Sequence, residues 1–178
     1  MEEKRLVEKV KQGDREAMDE LVKIHYQTIF AYFYRHTGDY HRSCDLTQEV
    51  FIKAISAIPA YKNNGKFKAW LFTIASNHLR NDWRYRKSHP QEELEENTAQ
   101  ISETPSGIQK TELEDAMNQL PPEQKEAVVL KYYHGLKITE ISKVTHTREP
   151  TVKSRLKYGL KKLKRLLGGE KHKREKAD

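Results

Sequence analysis

The sequence predicts an all-α protein: two small helical domains joined by a flexible acidic linker. Three observations carry this. Apolar residues recur every three or four positions over long stretches, the period of one helix face. Glycines and prolines are few for a chain of 178 residues. A polar, acidic stretch, HPQEELEENTAQISETPSG at 89–107, separates two periodic blocks and lacks the apolar residues to bury a core.

Residues 1–87 form the first block. Leu6, Val10, Ala17, Leu21, Ile24 and Ile29 recur at helical spacing, with a break at Gly13-Asp14 and Asp14 as N-cap. After a second break at Gly38-Asp39, Leu46, Val50, Phe51, Ala54, Ile55 and Ile58 give another apolar stripe, which Pro59 ends. Asn63-Asn64-Gly65 marks a loop. A third helix, from Trp70 through Leu71, Ile74, Ala75 and Leu79, turns basic at Arg80, Arg84, Arg86 and Lys87. The linker is placed at 88–108. It reads as a solvated spacer in preference to an acidic mimic of nucleic acid.

The second block spans 109–169. Thr111-x-x-Glu114 fits a capping box, Pro121-Pro122 opens a helix, and Gly135 closes it. A short helix and a brief turn then lead into EPTVKSRLKYGLKKLKRLL, residues 149–167. On a helix of about 3.6 residues per turn, Val152, Leu156, Leu160, Leu163 and Leu167 form one apolar stripe. Ser154, Lys157, Tyr158 and Lys161 lie opposite, flanked by Lys153 and Lys164. Pro150 suits the first turn, where a missing N–H is harmless. Residues 170–178 read as a disordered basic tail.

Composition narrows the partners. The net charge of +7 points to an anionic partner, nucleic acid or a membrane surface. A single cysteine, Cys44, permits no internal disulfide and fits a reducing cytoplasm. No apolar signal core and no stretch near the roughly 20 apolar residues of a membrane span occurs. A short helix, a tight turn and a helix with a basic outer face is the helix-turn-helix pattern, whose second helix enters the major groove. The spacing of the 138–145 helix upstream favours that reading over a solvated basic face or a membrane-surface helix.

These motifs resemble a known family. PPEQKEAVVLKYYHGLKITEISKV (121–144) with TVKSRLKYGLKKL (151–163) resembles the promoter-recognition domain of bacterial sigma factors. DLTQEVFIKAI (45–55) is similar to their core-polymerase-binding segment, and FKAWLFTIASNHLRNDWRYRK (67–87) to the segment that melts and reads the minus-ten element. Two domains and a short linker match the extracytoplasmic-function (ECF) type of RNA polymerase sigma factor.

The resemblance implies roles. Asp45, Gln48, Glu49 and Phe51 would bind core RNA polymerase. Tyr61, Asn77, Arg80, Arg84, Arg86 and Lys87 would bind the minus-ten element, with Tyr61 as a stacking surface for an extruded base and Asn77 pairing with a base edge. Trp83 and Tyr85, among these cations, either stack or pack. Arg148, Thr151, Lys153, Ser154, Lys157, Tyr158 and Lys161 would bind the minus-thirty-five element. The partners implied are core RNA polymerase, promoter DNA and an anti-sigma factor, without membrane insertion. The activity implied is initiation at a specific, stress-related set of genes.

Some residues depart from the family pattern. Lys137 stands where Ser or Thr usually caps the first helix of the helix-turn-helix. Thr145-His146-Thr147-Arg148 lacks the usual turn glycine, so a histidine would adopt positive φ. Arg148 replaces a serine cap, and each lost cap costs about 0.5–2 kcal/mol. Asn63-Asn64-Gly65 replaces a Gly-acid-Ser loop. Other chemistries find little support. His36, His41 and Cys44 lack a fourth zinc ligand, Cys44 has no nucleophile motif, and no phosphate-binding glycine loop appears. No cofactor and no enzymatic activity are expected. An autonomous repressor using only the helix-turn-helix is the rival reading. It gives no reason for the 45–55 and 67–87 segments.

Overall fold

The computed structural model describes residues 2–62, 64–89 and 111–174, and no strand occurs among them. The chain divides into two compact units, Met1–Thr104 and Pro105–Asp178. Of the expected linker, only Ser88 and His89 are described; the rest lies outside the described residues, as do Asn63 and residues 175–178.

In the first unit, α1 (Glu2–Lys11) turns at Gly13 into α2 (Arg15–Thr37). The Asp14 carboxylate accepts from the Ala17 N–H at 3.0 Å, as an N-cap should. Gly38, at φ 70°, ends α2 by donating its N–H to the Tyr34 carbonyl. Asp39 then caps α3 (Tyr40–Ala57), accepting from the Arg42 N–H at 2.9 Å. A 3-10 turn, Ile58–Ala60, holds Pro59. The last helix, α4 (Phe67–Ser88), begins three residues before the expected Trp70.

The four helices close on Val7, Ile29, Tyr32, Phe33, Val50, Leu71, Phe72 and Leu79, all at most 1% exposed. One expectation for α2 fails here. Ile24 is 51% exposed, and His25 takes the inward place between Leu21 and Ile29. Steps of four keep Leu21, His25 and Ile29 on one face, whereas Ile24 is rotated about 100° from His25.

In the second unit, α5 (Glu112–Asn118) opens on the expected capping box, with Thr111 N–H on Glu114 and Glu114 N–H on the Thr111 hydroxyl. α6 (Pro122–Val128) runs into a wider π turn, Val129–Tyr133, that Gly135 ends at φ 71°. α7 (Ile138–Thr145) and α8 (Glu149–Arg174) follow. α5, α6 and α7 all pack on α8. Helix α8 continues through residues 170–174, so the tail expected to be disordered is helical over that part.

The α8 stripe also needs correction. Val152, Leu156 and Leu163 are buried, but Leu160 is 39% exposed. Gly159 replaces it on the inner face, at steps of three and four from its neighbours. A methyl group at Gly159 would lie 3.2 Å from Val128 Cγ2, so glycine lets α8 cross α6 closely.

Candidate nucleic-acid interface

On α3, Asp45, Gln48 and Glu49 share an exposed face, away from buried Val50 and Ala54. Phe51 does not belong to that face. It is 7% exposed and stacks on Tyr26 at 6.1 Å between ring centroids. It points about 120° from Asp45, toward α2. Ile52, one residue on and 65% exposed, stands on the Asp45 face instead. Its spacing of seven residues from Asp45 was the signal in the sequence. Glu49 also reaches α4, where its Oε2 lies 2.9 Å from His78 Nε2. On its other side, His78 Nδ1 lies 2.7 Å from Lys53 Nζ. Burial and the Lys53 charge lower the His78 pKa, against the opposing pull of Glu49 and Asp82.

On α4, Asn77, Arg84 and Lys87 are exposed and Arg80 is partly so, all on one side. Arg80 is steadied by the Ser76 hydroxyl at 2.6 Å. Arg86 faces the other way. It lies roughly opposite Asn77 at about 100° per residue. There its Nε sits 3.9 Å from Asp82, which also pairs with Arg42 of α3. Arg86 is therefore part of an α3–α4 charge cluster and not of the exposed basic face. Of the two aromatics among these cations, Trp83 packs on His36 at 5.8 Å, while Tyr85 is 54% exposed.

The loop ahead of α4 corrects the expectation for Tyr61. Its ring is 7% exposed and lies against Trp70 at 4.6 Å and Phe67 at 5.7 Å. Burial raises its pKa. Tyr61 is a wall of the loop, with its faces already occupied by neighbouring rings. Asn64 is exposed, as are Lys62, Gly65 and Lys66, and its Oδ1 accepts from the Lys66 N–H at 3.2 Å and the Tyr61 hydroxyl at 3.4 Å.

In the second unit, α7, the turn and α8 form the helix-turn-helix. His146 takes the left-handed conformation at φ 51°, as the missing glycine required. Polar side chains secure the turn: Ser142 Oγ donates to the Thr147 carbonyl at 2.6 Å, and the Thr145 and Thr147 hydroxyls are 2.7 Å apart. Lysine has no acceptor with which to cap α7, but Glu140 accepts from the Lys137 N–H at 2.8 Å. Half of a capping box thus survives without the serine. Arg148, Thr151, Lys153, Ser154, Lys157, Tyr158 and Lys161 are all exposed. Ser154, Lys157, Tyr158 and Lys161 line one face, and Lys153 stands about 100° to the side. Arg165, one turn beyond Lys161, extends the face and was missed in the sequence. Lys162 points elsewhere and donates to the Gln119 carbonyl at 2.6 Å, tying α8 to α5.

A helical unit with an exposed carboxylate face beside a basic one, and a second unit built on a helix-turn-helix, define a DNA-reading transcription factor. Two family models match in that order: sigma-70 region 2 over residues 21–89 and sigma-70 region 4 over residues 110–163. The chain is 31% identical over 184 aligned positions to the ECF RNA polymerase sigma factor SigW of Bacillus subtilis, covering 92% of this chain and 96% of that protein. It is 34% identical to SigE of Mycolicibacterium smegmatis, covering 93% of this chain and 67% of that one. The chain belongs to the ECF RNA polymerase sigma factors. The fold agrees. The structure of CnrH in complex with the cytosolic domain of CnrY matches with a TM-score of 0.71 and 23% identity, over 95% of this chain and 99% of that one. Sigma factor RpoE from Bartonella quintana, solved with the anti-sigma factor NepR, matches with a TM-score of 0.66 and 21% identity, over 84% and 96%. The protein is thus an alternative sigma factor acting in transcription initiation, and not an enzyme. Sigma factors bind core RNA polymerase and promoter DNA. No helix among the described residues is long and apolar enough to cross a membrane.

Proposed function

We propose that this sigma factor divides its work among three faces. Asp45, Gln48 and Glu49, with Ile52 at their centre, dock on core RNA polymerase. An exposed isoleucine ringed by polar groups suits a protein partner, because its burial is favourable only on docking. Asn77, Arg80, Arg84 and Lys87 engage the minus-ten element: the cations hold phosphates, and Asn77 with exposed Asn64 offers donors and acceptors to a base edge. Arg148, Thr151, Lys153, Ser154, Lys157, Tyr158 and Lys161 engage the minus-thirty-five element in the major groove. The domain limits are placed at 1–87 and 109–169, with 88–108 as linker, although α4 runs one residue further and α8 five.

The single observation that carries this reading is the exposure of these residues on continuous helix faces while their neighbours fill the cores. An anti-sigma factor is proposed as a further partner, supported by the two solved relatives whose structures contain one or a partner's cytosolic domain. A stress-responsive set of genes and a cytoplasmic location complete the proposal. Runoff transcription on genomic fragments, with core polymerase and with or without this chain, tests it. New starts sharing two spaced elements are expected. Failure to bind core would overturn the docking face.

A further inference from the structure

We infer that α1 is a positioning element for base selection at the minus-ten element, acting through Glu3, Lys4 and His25 on the loop ahead of α4. The inference rests on the proposed role of that loop.

The contacts form a continuous path. Glu3 Oε1 lies 2.8 Å from Nε2 of His25, a histidine buried in α2. The His25 ring lies 5.3 Å from that of Phe67, the first residue of α4. Phe67 in turn packs on Trp70 at 5.3 Å and on Tyr61 at 5.7 Å. The Tyr61 hydroxyl reaches Asn64 at 3.4 Å, so the path ends on an exposed amide of the loop. A second contact bypasses the core. A methyl group at Gly65, where φ is 75°, would lie 2.6 Å from Lys4 Cε. The end of the Lys4 side chain, from α1, therefore lies against the loop next to Asn64.

A buried imidazole is an expensive way to fill this place. His25 sits where an apolar residue would continue the Leu21–Ile29 stripe, and its burial already lowers its pKa against the pull of Glu3. A leucine would serve packing as well. What the pair adds is direction: a hydrogen bond fixes the His25 ring, and with it the seat of Phe67, more narrowly than apolar contact does. Fixed polar groups reject a wrong base because they are left unpaired and cannot rearrange. A loosened loop adapts to several bases. Severing the pair should lower selectivity more than it lowers folding or docking.

The experiment uses the full chain with core polymerase. Promoter templates differ by single bases across the minus-ten element, and permanganate reactivity of unpaired thymines reports opening. Core binding and thermal melting are measured in parallel. Glu3→Ala and His25→Leu should reduce the ratio of opening between the preferred base and its replacements by about tenfold, the scale of one mismatch. Glu3→Gln, which retains an acceptor for His25, should stay within about twofold of the wild type. Asn64→Ala, for the loop, and Asn77→Ala, for α4, serve as the controls on the underlying reading. If Asn64→Ala and Asn77→Ala change base preference and the α1 variants lower opening equally on every template, or leave it unchanged, the inference fails alone. It also fails if Glu3→Gln behaves as Glu3→Ala does. If Asn77→Ala leaves preference untouched along with the α1 variants, the placement of minus-ten reading on this face falls too.

Discussion

Gly159 on α8 lies under Val128 on α6, so closely that a methyl group there would approach Val128 Cγ2 to 3.2 Å and Gln124 Cβ to 3.5 Å. The recognition helix is seated by this crossing. Gly159→Leu should force the helices apart and destabilise the second unit by about 1–3 kcal/mol, the usual effect of overpacking. Gly159→Ala should be close to neutral, because the helix propensity gained, about 1 kcal/mol, offsets a contact that yields by a few tenths of an ångström. Urea titration of the two variants checks this. Leu160→Ala, at an exposed position, should change stability by no more than about 0.5 kcal/mol.

Phe51 and Ile52 are adjacent and should behave in opposite ways. Phe51→Ala empties a buried ring site and should cost about 3–5 kcal/mol of folding stability. Ile52→Ala should leave melting within about 0.5 kcal/mol. Its effect belongs in core polymerase affinity, where a central exposed anchor is worth about 2 kcal/mol. Equilibrium unfolding and a pulldown titration with core polymerase separate the two. Unchanged affinity for Ile52→Ala would remove Ile52 from the docking face.

Arg84 and Arg86 divide in the same manner. Arg84→Ala should weaken promoter binding by holoenzyme and lower the salt dependence of log K by about one contact's worth. Arg86→Ala should instead lower the melting temperature, since it strips a partner from Asp82 between α3 and α4. Binding at several salt concentrations, beside a thermal melt, distinguishes them.

Lys125 gives a pH dependence. It is buried in α6 with its Nζ 2.8 Å from Asn118 Oδ1, and burial lowers its pKa to about 8. The folded chain then holds this proton less firmly than the unfolded chain, whose lysine titrates near 10.5. Keeping Lys125 charged opposes folding below about pH 8, and that penalty is relieved as pH rises from about 8 to 10.5. The unfolding free energy of the wild type should therefore rise relative to that of Lys125→Met across this window. A difference that stays constant from pH 7 to 10 would count against the buried charge.

Much of the fold was legible in the sequence because its signals are local. Asp14, Thr111 with Glu114, Gly38 and Gly135 act on backbone groups within a turn of themselves, so their roles follow from spacing alone. Positive φ at His146 followed from a turn without glycine. The faces of α3 and α8 followed from periodicity, and residues Asp45, Gln48, Ser154 and Lys157 are exposed where spacing put them. The errors fall between neighbours: Ile24 for His25, Phe51 against Ile52, Leu160 for Gly159, and Arg86 counted with Arg84. Tyr61 failed differently, because ring contacts with Phe67 and Trp70 close over it.

By itself the sequence determined that the chain is helical, where caps and glycines break one helix from the next, and that a basic helix follows a tight turn. These depend on hydrogen bonds and side-chain periods spanning about four residues. Only the tertiary structure decided which of two adjacent residues faces inward. Neighbours on a helix differ by about 100°, and a stripe drawn from one sequence fits either rotation. The choice was made by the partner helix: by whether α6 approaches close enough to require a glycine at 159, and by whether Phe67 and Glu3 give a histidine at 25 something to hold.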